Sequence, residues 1–129
     1  MLPTELAARY RAYIACLNAQ HLQALGDFVA DDVEYNGQPV GLHGYRAMLE
    51  NDYRVIPDLA FNIALLVAEP PTVASRLAFH CSPNGEFLGL RTQGKTLSFS
   101  ENVFYEFQHG KIARVWSVID KAAVQAQLG

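Results

Sequence analysis

The chain is 129 residues long, with half its residues hydrophobic and 18% charged, so it is one globular domain (1–129) with enough apolar material for a real core. A net charge of -3, with ten scattered Lys and Arg residues, excludes the basic surface that nucleic acid requires. The longest apolar stretches, such as residues 63–68, are strand-sized and far below the roughly 20 residues of a membrane span.

Leu6, Tyr10, Tyr13, Ile14 and Leu17 recur at helical spacing and predict an amphipathic helix over 4–18, with Thr4 able to cap it. Leu22, Leu25, Phe28 and Val29 predict a second helix over 21–30. Asn36-Gly37 is a two-residue hairpin signal, because both central residues of that turn need positive φ, and places a small ribbon at 33–35 and 38–40. A third helix runs from Gly44 to about Tyr53, with Tyr45, Met48 and Leu49 inward, and Pro57 forbids its continuation. Strands follow at 59–68, 73–81, 95–107 and 112–118. The first alternates Leu59, Phe61, Ile63, Leu65 and Val67 on one face. A glycine-containing loop, 82–94, precedes the third strand, and a short helix follows Asp120. Helices first and then a run of antiparallel strands is α+β, with the helices on one side of the sheet. A curved sheet wrapped by the long helix makes a cone with an apolar pocket, the usual place for a small ligand.

The stretches Tyr10–Val33, Gly85–Phe99 and Phe107–Gly129 carry a resemblance that spans nearly the whole chain. The last is the most specific: a Gly-Lys-Ile turn, Trp116 four residues after the Ile, Asp120 eight after it, and a terminal Gln-Leu-Gly. The sequence resembles the SnoaL-like polyketide cyclases of the nuclear-transport-factor-two-like superfamily. The resemblance implies the cone fold, a homodimer, no cofactor, and chemistry on polyketide-like esters. It also implies a catalytic Asp directly after Trp116 and a catalytic His at the position of Val103; this sequence has Ser117 and Val103 there. Where many relatives carry Gly-Thr-His, it has Cys81, Ser82 and Pro83.

Glu101 is the most informative carboxylate, because it interrupts the apolar face of Leu97, Phe99, Val103, Tyr105 and Phe107. In a pocket wall its pKa rises and it serves as acid or base near neutral pH; paired with Arg76 on the neighbouring strand, it is a structural ion pair. His80 shares parity with Arg76 and is either a satisfied structural residue or an alternative proton carrier. Ser117, on the parity of Ala113, Val115 and Ile119, can orient a ligand. Tyr13, Tyr35 and Tyr53 offer hydroxyls from the helical half, where Tyr13 can also be simple core with a wet tip. Trp116 and Asp120 complete the candidate ligand contacts; Asp120 is also a good N-cap for the last helix, and Asn36 is explained by its turn. No pair of His has ligand spacing, so no metal is expected.

Cys16 and Cys81, without CxxC spacing, fit reduced thiols in a cytoplasm, and the charged N-terminus does not read as an export signal. The expected partners are a small apolar ligand and a second copy bound through the sheet, with no nucleic acid or membrane. Three functional readings follow. The first is a cofactor-free cyclase, isomerase or hydrolase using Glu101 or His80. The second is a binder that lacks the cyclase Asp and His. The third is a docking domain using the sheet face that carries Phe104 and Trp116.

Overall fold

The computed structural model describes residues 1–129. Helix α1 (Pro3–Asn18) forms as its periodicity requires: Leu6, Tyr10, Tyr13, Ile14 and Leu17 are all buried. It starts at Pro3, where a missing N–H is no loss. The Glu5 carboxylate closes that end, accepting the Leu2 N–H at 2.9 Å, so Thr4 lies within the first turn and does not cap.

The expected helix over 21–30 is a short 3-10 turn, Leu22–Asp27, followed by strand β1 (Val29–Tyr35). Val29 and Val33 are fully buried in the sheet, and β-branched residues pack better there than in a helix. The Asn36-Gly37 turn is present with φ of 48° and 80°. Beyond it only a Tyr35–Gln38 bridge forms, so no ribbon strand runs over 38–40. Helix α2 (Gly41–Val55) begins earlier than predicted and stops before Pro57.

The remaining elements are β2 (Asn62–Glu69), β3 (Thr72–Cys81), the tiny hairpin β4 (Glu86–Phe87) and β5 (Leu90–Arg91), β6 (Leu97–Gln108), β7 (Lys111–Ile119) and α3 (Lys121–Leu128). The curved main sheet has the order β1-β7-β6-β3-β2, and β1 runs parallel to β7, so the sheet is mixed and not wholly antiparallel. An irregularity between Ile63 and Leu65 shifts the register of β2 against β3. It reverses the predicted alternation: Leu66 and Ala68 pack on the core, while Leu65 and Val67 face out. Helix α1 crosses β2 and β3, α2 lies against β1, and α3 packs on β6. The inner side chains of the sheet, among them Leu77, Val103, Tyr105 and Val115, meet the buried stripe of α1. No helix is long and apolar enough to cross a membrane.

Candidate functional site

Between α2 and the sheet the cone holds two adjoining cavities that share part of their walls. The inner one is lined by Tyr13, Tyr45, Leu77, Val103, Tyr105 and Val115. The outer one is lined by Ile56, Leu59, Phe79, Phe87, Phe99 and Ile119. Tyr35, Met48, Asp52, Phe61 and Glu101 line both and form the junction. About 60 Å³ of the inner and 130 Å³ of the outer compartment is open to the centre of a water molecule. One water needs roughly 10–15 Å³ on that scale, so the interior is not a filled core.

Each compartment has its own character. In the inner one the Tyr13 and Tyr45 hydroxyls share a hydrogen bond of 2.6 Å, and either can donate. Burial is the first reason that both phenols are pushed well above their ordinary pKa, so both remain protonated at neutral pH. The outer compartment is aromatic. Phe79 and Phe99 stack at 5.2 Å between centroids, Phe61 meets Phe79 edge-on at 5.6 Å, and Phe87 from the small hairpin tilts onto Phe99 at 5.3 Å.

The only charged residues in either wall are Glu101 on β6 and Asp52 on α2. Burial raises the Glu101 pKa, and the Ser117 hydroxyl, which donates to its carboxylate, offsets part of that rise. Asp52 is pushed up to about 6, first by burial and then by the charge of Glu101. Its residue surface remains exposed at the rim, and water there screens part of the effect.

Five of the sequence candidates converge here: Glu101, Tyr13, Tyr35 and Val103 line the hollow, and Ser117 touches Glu101. Asn36 holds Ser117 in place, accepting its backbone N–H at 2.8 Å and donating to its carbonyl at 3.3 Å. The remaining candidates lie elsewhere. Arg76 stands opposite Asn102, not Glu101, and donates to its side chain at 3.2 Å on the outer face. The Glu101–Arg76 pair therefore does not form, because strand alternation puts the two on opposite sides of the sheet. His80 is likewise outside, 2.8 Å from the Ser98 hydroxyl. Trp116 faces out beside its cross-strand partner Phe104. The Tyr53 hydroxyl donates to the Leu17 carbonyl at 2.9 Å and does not line the hollow. Asp120 caps α3, accepting the Ala123 N–H at 3.1 Å.

Asp52 is the residue the sequence reading missed. It falls on the inward stripe of Tyr45, Met48 and Leu49, and a carboxylate on such a stripe is the signal that would have found it. No three His, Cys, Asp or Glu side chains come together as a metal cluster.

The SnoaL-like polyketide cyclase family model matches residues 7–128, and this decides the family. The chain belongs to the SnoaL-like polyketide cyclase family. A SnoaL-like polyketide cyclase from Agrobacterium tumefaciens is 48% identical, with a TM-score of 0.95 over 96% of this chain and 98% of that one. TsrD from Streptomyces laurentii shares the fold at 20% identity, with a TM-score of 0.85 over 100% and 98% of the two chains. AclR from Streptomyces galilaeus does so at 23% identity, with a TM-score of 0.81 over 99% and 98%. No curated protein sequence matches the chain.

As a SnoaL-like protein, the chain keeps the cone and lacks the acid–base residues expected at two inner positions. Ser117 and Val103 occupy them, directly opposite each other on β7 and β6. Glu101 is one inward position along β6 from Val103, and both line the same wall.

Proposed function

We infer that this SnoaL-like protein is an acid–base enzyme of the cyclase type, with Glu101 as its proton carrier. It acts on a small, uncharged, largely apolar carbonyl or polyketide-like compound, and needs no cofactor for proton transfer. Cyclisation, isomerisation and hydrolysis all fit such a group. The observation that carries this reading is the Glu101 carboxylate, set in an aromatic hollow and held by one hydroxyl donor. A carboxylate so placed has its proton affinity raised toward neutral pH, where a general base is most effective. With no Lys, Arg or His in either wall, nothing there neutralises an anionic substrate.

The test is proton exchange. A flat ketone such as 2-tetralone, incubated with the protein in heavy water, should lose its α-protons faster than in buffer. Glu101→Gln should reduce that rate by about 10²–10⁴-fold, the usual worth of one positioned acid–base group. A variant that exchanges at the wild-type rate refutes the assignment of Glu101.

The presence of Ser117 and Val103 at the cyclase positions favours a second reading, a binder without turnover. It predicts that 2-tetralone raises the melting temperature, as a ligand of the folded state must, while no exchange occurs.

We also propose a second copy of the chain as occupant of the outer sheet face. Trp116, Phe104, Ala74 and Val67 stand in one cross-strand row, and Val118 and Leu65 lie at the ends of the next. Between Val118 and Leu65 that second row carries Asn102 and Arg76, so the partner copy would meet an apolar border around one polar pair.

A further inference from the structure

Building on the proton-transfer role of Glu101, we propose that Asp52 is the second proton-transfer group of the site: an acid on the helical wall that works opposite the base on the sheet wall. Three observations carry it. Asp52 and Glu101 are the only charged side chains of the hollow, and each borders both compartments. A ligand spanning the two compartments therefore passes both carboxyl groups. They also come from different elements, α2 and β6, so neither is an accident of the other's local sequence.

The third observation is that Asp52 has no structural task. It makes no side-chain hydrogen bond and belongs to none of the protein's ion pairs, which are Arg46–Glu50, Arg114–Glu34 and Arg114–Glu106. The neighbouring Arg54 guanidinium donates to Asn51 at 2.6 Å instead. Asp52 stands at the exposed rim of its stripe, so water reaches the carboxyl and no protein donor or cation holds it away from a ligand.

The environments divide the labour. Glu101 has the Ser117 hydroxyl as a donor, which favours its charged form. Asp52 has no donor and meets the charge of Glu101, so of the two it keeps its proton longer as pH rises, up to about 6. The other titratable groups around the pair are Tyr10 and Tyr13 on α1, Tyr35 on β1, Tyr45 and Tyr53 on α2, and Tyr105 on β6, all phenols that burial keeps protonated.

In the forward step the Glu101 carboxylate removes a proton from the carbon beside the substrate carbonyl. The C–H electron pair forms the carbon–carbon double bond, and the carbonyl oxygen takes the Asp52 proton. The products are a neutral enol, a protonated Glu101 and an Asp52 carboxylate. The reverse step returns both protons, and in heavy water it leaves a deuteron on carbon. No further reactant is consumed.

The experiment is the 2-tetralone exchange followed by NMR across pH, with Asp52→Asn, Asp52→Glu and Glu101→Gln beside the wild type. Asp52→Asn should slow exchange by about 10²-fold or more and abolish the fall in rate on the alkaline side, and Asp52→Glu should restore much of both. Exchange that depends on Glu101 but is indifferent to Asp52→Asn overturns this inference alone. Absence of exchange in the wild type overturns the proton-transfer role and this inference with it. A measurement independent of turnover is the carbon-13 titration of the Asp52 carboxyl, which should move to lower pH in Glu101→Gln. An Asp52 that titrates alike in both proteins also overturns the pairing.

Discussion

Ser117 donates its hydroxyl to the Glu101 carboxylate diagonally across the β6–β7 ladder, on the inner face of the sheet. The bond favours ionised Glu101 and works against the burial that favours the neutral acid. Ser117→Ala removes the donor, so the Glu101 pKa rises further. Hydrogen bonds to charged groups are worth about 1.5–3 kcal/mol, and one pH unit corresponds to ~1.4 kcal/mol. The acid limb of the exchange profile should therefore move up by roughly one to two pH units, with the rate at high pH little changed. An unmoved acid limb shows that this hydroxyl does not tune the base.

Asn36 gives that arrangement a second layer. Its backbone makes the left-handed turn, with φ of 48°, while its side chain brackets the Ser117 peptide. Asn36→Gly keeps the turn accessible and deletes only the bracket. The expected loss is about 1–2 kcal/mol of stability, from two neutral hydrogen bonds, measured by denaturant unfolding. The exchange profile should shift in the same direction as in Ser117→Ala, by less. A stability loss with an unchanged profile would limit Asn36 to a turn role.

The two raised carboxyls make stability depend on pH in a definite direction. A carboxyl whose pKa is higher folded than unfolded binds more protons in the folded state. Its contribution is fully present below the unfolded value and is lost as pH rises through the folded one. For Asp52 that window runs from 3.8 to about 6. Asp52→Asn and Glu101→Gln should therefore each melt at a higher temperature than the wild type at pH 7, with the difference shrinking toward pH 4. Variants that are less stable at pH 7 contradict the cost of holding these two charges in the wall of the hollow.

The cone and one half of its carboxyl pair were legible in the sequence, each for a physical reason. Glu101 stood out because strand alternation has period two, and one polar residue on an apolar face is conspicuous. Asp52 did not, because a helical stripe tolerates a polar residue at its edge, and Asp52 falls in the last turn of the helix predicted from Gly44 to about Tyr53. Arg76 and His80 were given the right parity but were not placed on the outer face. Their strand was assigned its two faces correctly, but the cross-strand register that opposes Arg76 to Asn102 is a long-range property. The first two residues of β1 were read as helix because Leu22, Leu25 and Val29 share helical spacing, while 33–35 was read as strand. Only the parallel pairing with β7, remote in sequence, decides otherwise.

The aromatic outer compartment predicts how a flat ligand is held. Phe87 arrives on the two-residue strand β4 and leans on Phe99, so its ring can be removed with little disturbance to the main sheet. An aromatic pair is worth about 0.5–1.5 kcal/mol beyond the area it covers. Phe87→Ala should weaken 2-tetralone binding by roughly two- to twelvefold, as a change in Kd from thermal-shift titration. The exchange rate at saturating ligand should remain near that of the wild type, since the carboxyl groups are untouched. A large loss at saturation would mean that the hairpin also positions the reacting atoms.

The outer face sets the last expectation. Phe104 is 53% exposed and Trp116 43%, and they are cross-strand partners at the middle of the sheet. Leu65, Val67 and Val118 on the same face are also exposed, bordering Asn102 and Arg76. Strand alternation separates this face from the hollow, so a charge placed here should break a dimer and spare the site. Phe104→Asp should convert a dimer to a monomer by sedimentation at micromolar concentration, while Glu101-dependent exchange per subunit persists. A wild-type protein that sediments as a monomer rules out the second copy as the partner of this face. Loss of exchange in a folded Phe104→Asp monomer would instead show that dimerisation shapes the hollow from behind, through the packing of β6.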